Sequence, residues 1–248
     1  LKFGDPEKCN SRSHVSCVNH SKTDQGQATV NFVPLSEGQT GPVDALLAAY
    51  ATGSLSRPLH ALVASHLSLR ADNRSFVNSL ECLIADDIAA MDIKEHVAGR
   101  DDRLAAIFRN NGGDSAEAEL GSEFLPPPLG HYLGMPYDAL PWRAVMPGLK
   151  EVKLEDGPGC EAAMLWIRAG RTMPSHTHPG IEATLVLKGS FEDATGVYSR
   201  GDMAVVDSDV DHKPVAGADE DCICFAVSEG PVKLTGPIAR LFQRLIRH

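Results

Sequence analysis

The chain of 248 residues carries 23 Lys and Arg against 33 Asp and Glu, a net charge of −10, with 43% hydrophobic, 23% charged and 6% aromatic residues. At about 100 to 200 residues per domain this length predicts two modules of ordinary globular composition, and the acidic balance excludes a chain-wide nucleic-acid groove. No apolar run approaches the roughly 20 residues of a transmembrane helix, and Lys2, Asp5, Glu7 and Lys8 stand where an export signal needs apolar residues, so a cytoplasmic address without a membrane partner is expected.

Residues 1–41 are rich in Ser, Asn, Gln, Thr and Gly and read as an irregular leader with one apolar patch at 30–34. Asp44 is the expected N-cap of a first helix that stops at Gly53; Ser54 caps a second to about Leu69; Asn73 opens a third to about Met91; Asp101 or Asp102 starts a fourth. Leu46, Tyr50, Leu59, Leu62, Val63, Phe76, Leu80, Leu83 and Ile84 recur at helical spacing, which defines a helical module over 42–112. Residues 113–128 run into Pro126-Pro127-Pro128 and read as a linker. Beyond it, strand candidates at 162–167, 183–187, 203–206, 222–227 and 232–234 alternate with Gly, Pro and Asp clusters, the pattern of an all-β barrel or sandwich over 129–248, closed by a helix at 238–246. The expected fold class is multidomain, α followed by all-β.

Six cysteines, at 9, 17, 82, 160, 222 and 224, are too scattered for a disulfide framework and are expected to be thiols. Cys222 and Cys224 share one face of a strand, where they either fill the core or report oxidation.

The strongest chemical signal is Gly170-x5-His176-x-His178-x3-Glu182-x6-Gly189, followed by Gly201-x5-Asp207-x-Asp209-x2-His212. His176 and His178 alternate on one strand edge, Glu182 returns a carboxylate across the next turn, and a glycine-opened hairpin brings His212 alongside. Three imidazoles and one carboxylate suit Zn, Fe, Mn, Ni or Co, and ligand type alone does not choose among them.

The two blocks resemble the paired motifs of the cupin superfamily, which implies a double-stranded β-helix barrel; Asp207, Asp209 and Ala216 stand where that family shows Pro, Gly and Asn. With the helical stretch from Asp44 to Leu55, the segment Ser65-His66-Leu67-Ser68-Leu69, and Leu165-Trp166-Ile167, Thr184 to Phe191, His212 to Val215 and Cys222-Ile223-Cys224 in the barrel half, the chain is similar over 43–245 to the ChrR family of zinc-binding anti-sigma factors. That resemblance implies a regulator whose helices sequester an extracytoplasmic-function sigma factor and whose cupin module, with zinc its implied metal, releases it under oxidative stress. Leu46, Leu47, Tyr50, Leu62 and Leu69 would form the module's core and, on one face, meet the partner. The family holds a zinc in the helical module through an upstream His and His-x3-Cys-x2-Cys; here the segment reads His66-x3-Arg70-x2-Asn73 and the upstream position is Gly41, so this module is expected to fold without zinc. A rival metal set, Cys9, His14, Cys17 and His20, lies in the leader.

The alternative is a metal-dependent cupin enzyme, a dioxygenase or isomerase, since such a centre can activate dioxygen or water. An enzyme would need substrate-gripping side chains at the metal, and Arg168, Arg171 and Tyr198 form no recognisable arrangement, so a non-enzymatic regulator is the leading expectation.

Overall fold

The computed structural model of the protein describes residues 41–91, 99–109, 124–155, 159–231 and 233–235. The cysteines and histidines of the leader and the helix expected at 238–246 lie outside these residues.

Four helices come first: α1 (Pro42–Ala51), α2 (Arg57–Leu69), α3 (Arg74–Ala90) and α4 (Arg100–Arg109). Two boundaries differ from the sequence expectation for the same reason. Proline fits the first turn of a helix, where its missing N–H costs nothing. Pro42 therefore opens α1 with Gly41 as N-cap, leaving Asp44 inside the first turn, and Pro58 stands second in α2, after the N-cap Ser56 and Arg57. Ser54 instead closes α1, its hydroxyl and its amide both donating to the carbonyl of Ala49. Proline also explains α5 (Pro127–Leu133), a helix that starts inside the run read as linker: Pro127 and Pro128 occupy its opening positions, and Gly134 ends it in the left-handed conformation.

The β half contains β1 (Arg143–Met146), β2 (Leu149–Glu155), β3 (Cys160–Ile167), β4 (His176–Thr177), β5 (Glu182–Lys188), β6 (Ser190–Asp193), β7 (Gly196–Ser199), β8 (Met203–Val206), β9 (Val215–Ala216), β10 (Cys222–Glu229) and β11 (Lys233–Leu234). They form a six-stranded antiparallel sheet in the order β1-β2-β3-β10-β5-β8, a three-stranded sheet β7-β6-β9 and the pair β11-β4. The β5 to β6 turn needs glycine: Gly189 has φ +68° and a Cβ there would sit 2.7 Å from the carbonyl oxygen of Asp221.

Residues Thr40–His248 form one compact unit in which helices and sheet share a core. Side chains along a strand alternate between faces. On β5 and β10, Ala183, Leu185, Leu187, Ile223, Phe225 and Val227 point out of the barrel into a cluster with Leu47, Leu62, Val63 and Leu129 of the helices. The intervening Val186, Cys222 and Cys224 fill the interior with Phe191 and Ala216. A sheet covered on both faces reads as a near-continuous apolar run, which is why these two strands stand out in the sequence. Each Leu or Phe buried in this way contributes about 1.5–3 kcal/mol.

The apolar residues of the helical segment divide differently from the expectation. Leu46, Leu47 and Leu62 are buried in the shared core, and the half-buried Tyr50 and Leu69 pack against it. On α3 only Val77 is buried, while Leu83 and Ile88 are 62% and 52% exposed, so Leu83 is no core residue.

Candidate metal centre

Three pieces of backbone deliver four side chains to one point. His176 and His212 face each other in an antiparallel bridge. Glu182 opens β5 between Val206 of β8 and Ser228 of β10. The departure from the usual cupin turn before His212 is absorbed locally: Asp207 closes the turn itself, its carboxylate accepting from the amide of Asp209 at 3.0 Å and its carbonyl from the amide of Val210 at 3.2 Å.

His176, His178, Glu182 and His212 are all buried, and one ligand atom from each lies within 4.8 Å of the others. Glu182 Oε2 is 3.7 Å from His176 Nε2, 3.4 Å from His212 Nε2 and in contact with His178 Nε2. The far side of two rings fixes their tautomers. His176 Nδ1 is 2.8 Å from the carbonyl oxygen of Pro174, and His212 Nδ1 is 3.0 Å from Asp193 Oδ2; a carbonyl or carboxylate only accepts, so both Nδ1 atoms carry the proton and both Nε2 lone pairs face inward. Thr184 Oγ1 donates to the other Glu182 oxygen at 3.1 Å.

Burial pushes the Glu182 carboxyl up, but the three surrounding imidazoles outweigh it and hold the group well below the usual carboxylate range. Asp193 follows the same logic: burial raises it, and bonds from Thr195 and His212 bring it down. Within the centre, Glu182 Oε2, His178 Nε2 and His212 Nε2 are buried and have no hydrogen-bond partner that meets the usual geometry. Buried polar atoms without partners are costly, and a divalent cation satisfies all of them at once. The donor set therefore fits a transition metal, and it is the one such group among the described residues.

Nothing in the sequence marks Asp193 as part of this centre. Its Asp-x-Thr context reads as a turn, and it does make one, accepting from the Thr195 amide at 2.8 Å. Only the fold reveals that its other oxygen serves His212.

Cys222 and Cys224 are buried in the apolar interior of the barrel, with sulfurs 3.4 Å apart. The contact with Cys222 and burial push the Cys224 thiol well above its ordinary value. The remaining candidates are engaged elsewhere: the aliphatic parts of Arg168 and Arg171 pass beside Gly148, and the Tyr198 hydroxyl bonds Thr195 while its ring packs on Phe191.

Residues 133–233 match the model of the ChrR cupin-like domain. The chain is 33% identical over 207 residues to the anti-sigma-E factor ChrR of Cereibacter sphaeroides, covering 82% of this chain and 96% of that protein. It is also similar to the structure of Rhodobacter sphaeroides SigE in complex with the anti-sigma ChrR, with 34% identity, a TM-score of 0.63, and coverage of 75% of this chain and 96% of that one.

Proposed function

This chain belongs to the ChrR family of anti-sigma factors, and from that premise we propose that its helical segment, residues 42–112, sequesters an extracytoplasmic-function sigma factor while its cupin half, residues 129–248, holds a divalent transition metal and governs release under stress. The chain acts by binding and not by turning over a substrate, and its partner places it in the cytoplasm. None of the described helices is long and apolar enough to cross a membrane.

The observation that carries this reading is the exposed face of α3. Phe76, Leu80, Leu83, Ile84, Ile88 and Met91 recur at helical spacing, yet Leu83, Ile88 and Met91 are each more than half exposed. An apolar helix stripe left in water marks a protein interface, and the relative with the higher coverage is an anti-sigma factor by name. In the barrel, His176, His178, Glu182 and His212 are the ligands. The metal, when bound, supplies a charge that ties the His176 and His212 strands to the start of β5; zinc is the choice that family membership favours.

Co-expression with sigma factors of the SigE class and recovery of the complex tests the reading. Wild type should retain a sigma factor, and Leu83→Asp with Ile88→Asp should lose it without loss of stability, since exposed substitutions change stability by about 0.5 kcal/mol or less. Failure of wild type to retain any such factor would overturn it.

A further inference from the structure

The corner between α2 and α3 is fastened to the barrel by polar contacts that bridge 132 and 135 residues of sequence. His66, 5% exposed near the end of α2, places Nδ1 2.7 Å from the carbonyl oxygen of Gly201. That carbonyl only accepts, so Nδ1 carries the proton and Nε2 is left as an acceptor, 2.8 Å from the donating Nδ2 of Asn73. Arg70, which follows α2, donates to Asp202 Oδ1 at 2.6 Å, and the second oxygen of Asp202 is held by the Ser199 amide at 2.8 Å. Arg74, the first residue of α3, donates to the carbonyl of Leu67 at 3.0 Å.

The turn on the barrel side is shaped for this approach. Gly201 has φ +90°, and a Cβ there would lie 3.0 Å from Arg70 Cγ and 3.2 Å from Leu69 Cβ, so only glycine lets the helix corner come so near. The Gly201 amide donates to Val186 of β5 at 2.8 Å, which joins the turn to the strand that begins at Glu182.

We propose that His66, Arg70 and Asn73 form a metal-free polar clasp onto the Gly201–Asp202 turn, and that they are positioning residues which set the exposed face of α3 for the sigma factor. Placing a partner on α3 rests on the function proposed above; the clasp itself does not. The need for it follows from the shallow burial of α3, which otherwise packs mainly along α1. Among the described residues this helix of 17 residues buries Val77 alone, and its N-terminal residues are the ones tied to α2 and, through His66, to the barrel. A cation does not suit the same corner, because the Arg70 guanidinium already brings a positive charge into it and engages the Asp202 carboxylate, and among the described residues no set of three ligating side chains gathers at His66. Asn73 accordingly gives up the capping bond its position offers: its side chain serves His66 and makes no cap to α3.

The full-length chain tests this with His66→Ala, Arg70→Glu, Asp202→Arg and the double swap Arg70→Glu with Asp202→Arg. Hydrogen exchange over residues 74–90 should rise roughly fivefold or more for each hydrogen bond lost, with exchange in β5 and β10 unchanged. The charge swap should restore slow exchange, and a chelator should leave the wild-type α3 amides protected. Affinity for a retained sigma factor should fall in the single variants and recover in the swap, a rescue that general destabilisation does not produce. Unchanged α3 exchange in both Arg70→Glu and Asp202→Arg, or opening of wild-type α3 by chelator, would overturn the clasp. A wild type that holds no sigma factor would sink the function reading while exchange still decides the clasp, and if His66→Ala does not fold, the charge swap between partly exposed residues settles the matter by the same exchange readout.

Discussion

His176 and His212 exchange backbone hydrogen bonds in both directions, each amide donating to the other's carbonyl at 3.1 and 3.2 Å. Two side chains aimed at one centre are thus set by a shared bridge before any ion arrives, and the ligand geometry belongs to the fold. Purified wild type should carry about one metal per chain, as a closed set of four ligands implies. His176→Ala with His178→Ala should carry almost none while β-sheet circular dichroism persists. Elemental analysis checks this, and equal metal in both proteins would defeat the assignment.

Asp193 holds the His212 ring in the tautomer that points Nε2 inward, and its side chain is fully covered. Asp193→Asn keeps the shape but weakens the hold on the Nδ1 proton. Metal affinity should fall by about 10- to 100-fold, the usual cost of losing such a partner. A competition titration with a chromophoric chelator measures it, and an unchanged affinity would reduce Asp193 to a turn residue.

The thiolate is the form of cysteine that oxidants attack, and Cys224 is held in the neutral form inside the barrel. Cys222→Ala and Cys224→Ala should therefore leave stress-dependent release of the partner intact. Their cost should appear in the melting curve as a core deletion of about 1 kcal/mol or more. Loss of release at unchanged stability would give the pair a sensing role instead.

Burial holds the His66 imidazole below its ordinary value, assisted by the Arg70 charge and opposed by the Gly201 carbonyl and by Asp202 and Asp72. The unfolded chain takes up a proton near pH 6.5 that the folded chain resists. Stability from this residue is complete above that value and is lost as pH falls through it. Urea midpoints at pH 7.5 and 5.5 should differ more in wild type than in His66→Gln, a comparison in which the other histidines cancel. Identical drops would refute the assignment.

The candidate metal-binding group was legible because the spacing of His176, His178 and Glu182 is local and strands alternate, so sequence distance converts directly into direction. The doubly buried strands β5 and β10 were legible for their unbroken apolar runs. β2 was not: Lys150, Glu151 and Lys153 break up its pattern, although Leu149 and Val152 are buried. β6 and β7 set only one or two apolar residues among polar ones and do not stand out, whereas the equally short β8 is apolar throughout and does. Asp193 lies 19 residues from the histidine it serves, and the Gly201–Asp202 turn lies more than 130 from His66 and Arg70. Such contacts exist only once the chain has closed on itself. Leu83 shows the limit of periodicity, which marks an apolar face without saying what covers it.

The alternation of the shared sheet puts Glu182 and Ala183 back to back: one carboxylate faces His176, His178 and His212, and the next residue lies in the wall beneath the helices. Consecutive Cα atoms are about 3.8 Å apart. Chemistry in the barrel and the cover outside it are therefore separated by a single peptide plane, and a rotation of that plane moves both. The same thinness limits change by mutation: a bulkier side chain on either face of β5 must be accommodated by the other, so the barrel lining and the underside of the helices are bound to vary together.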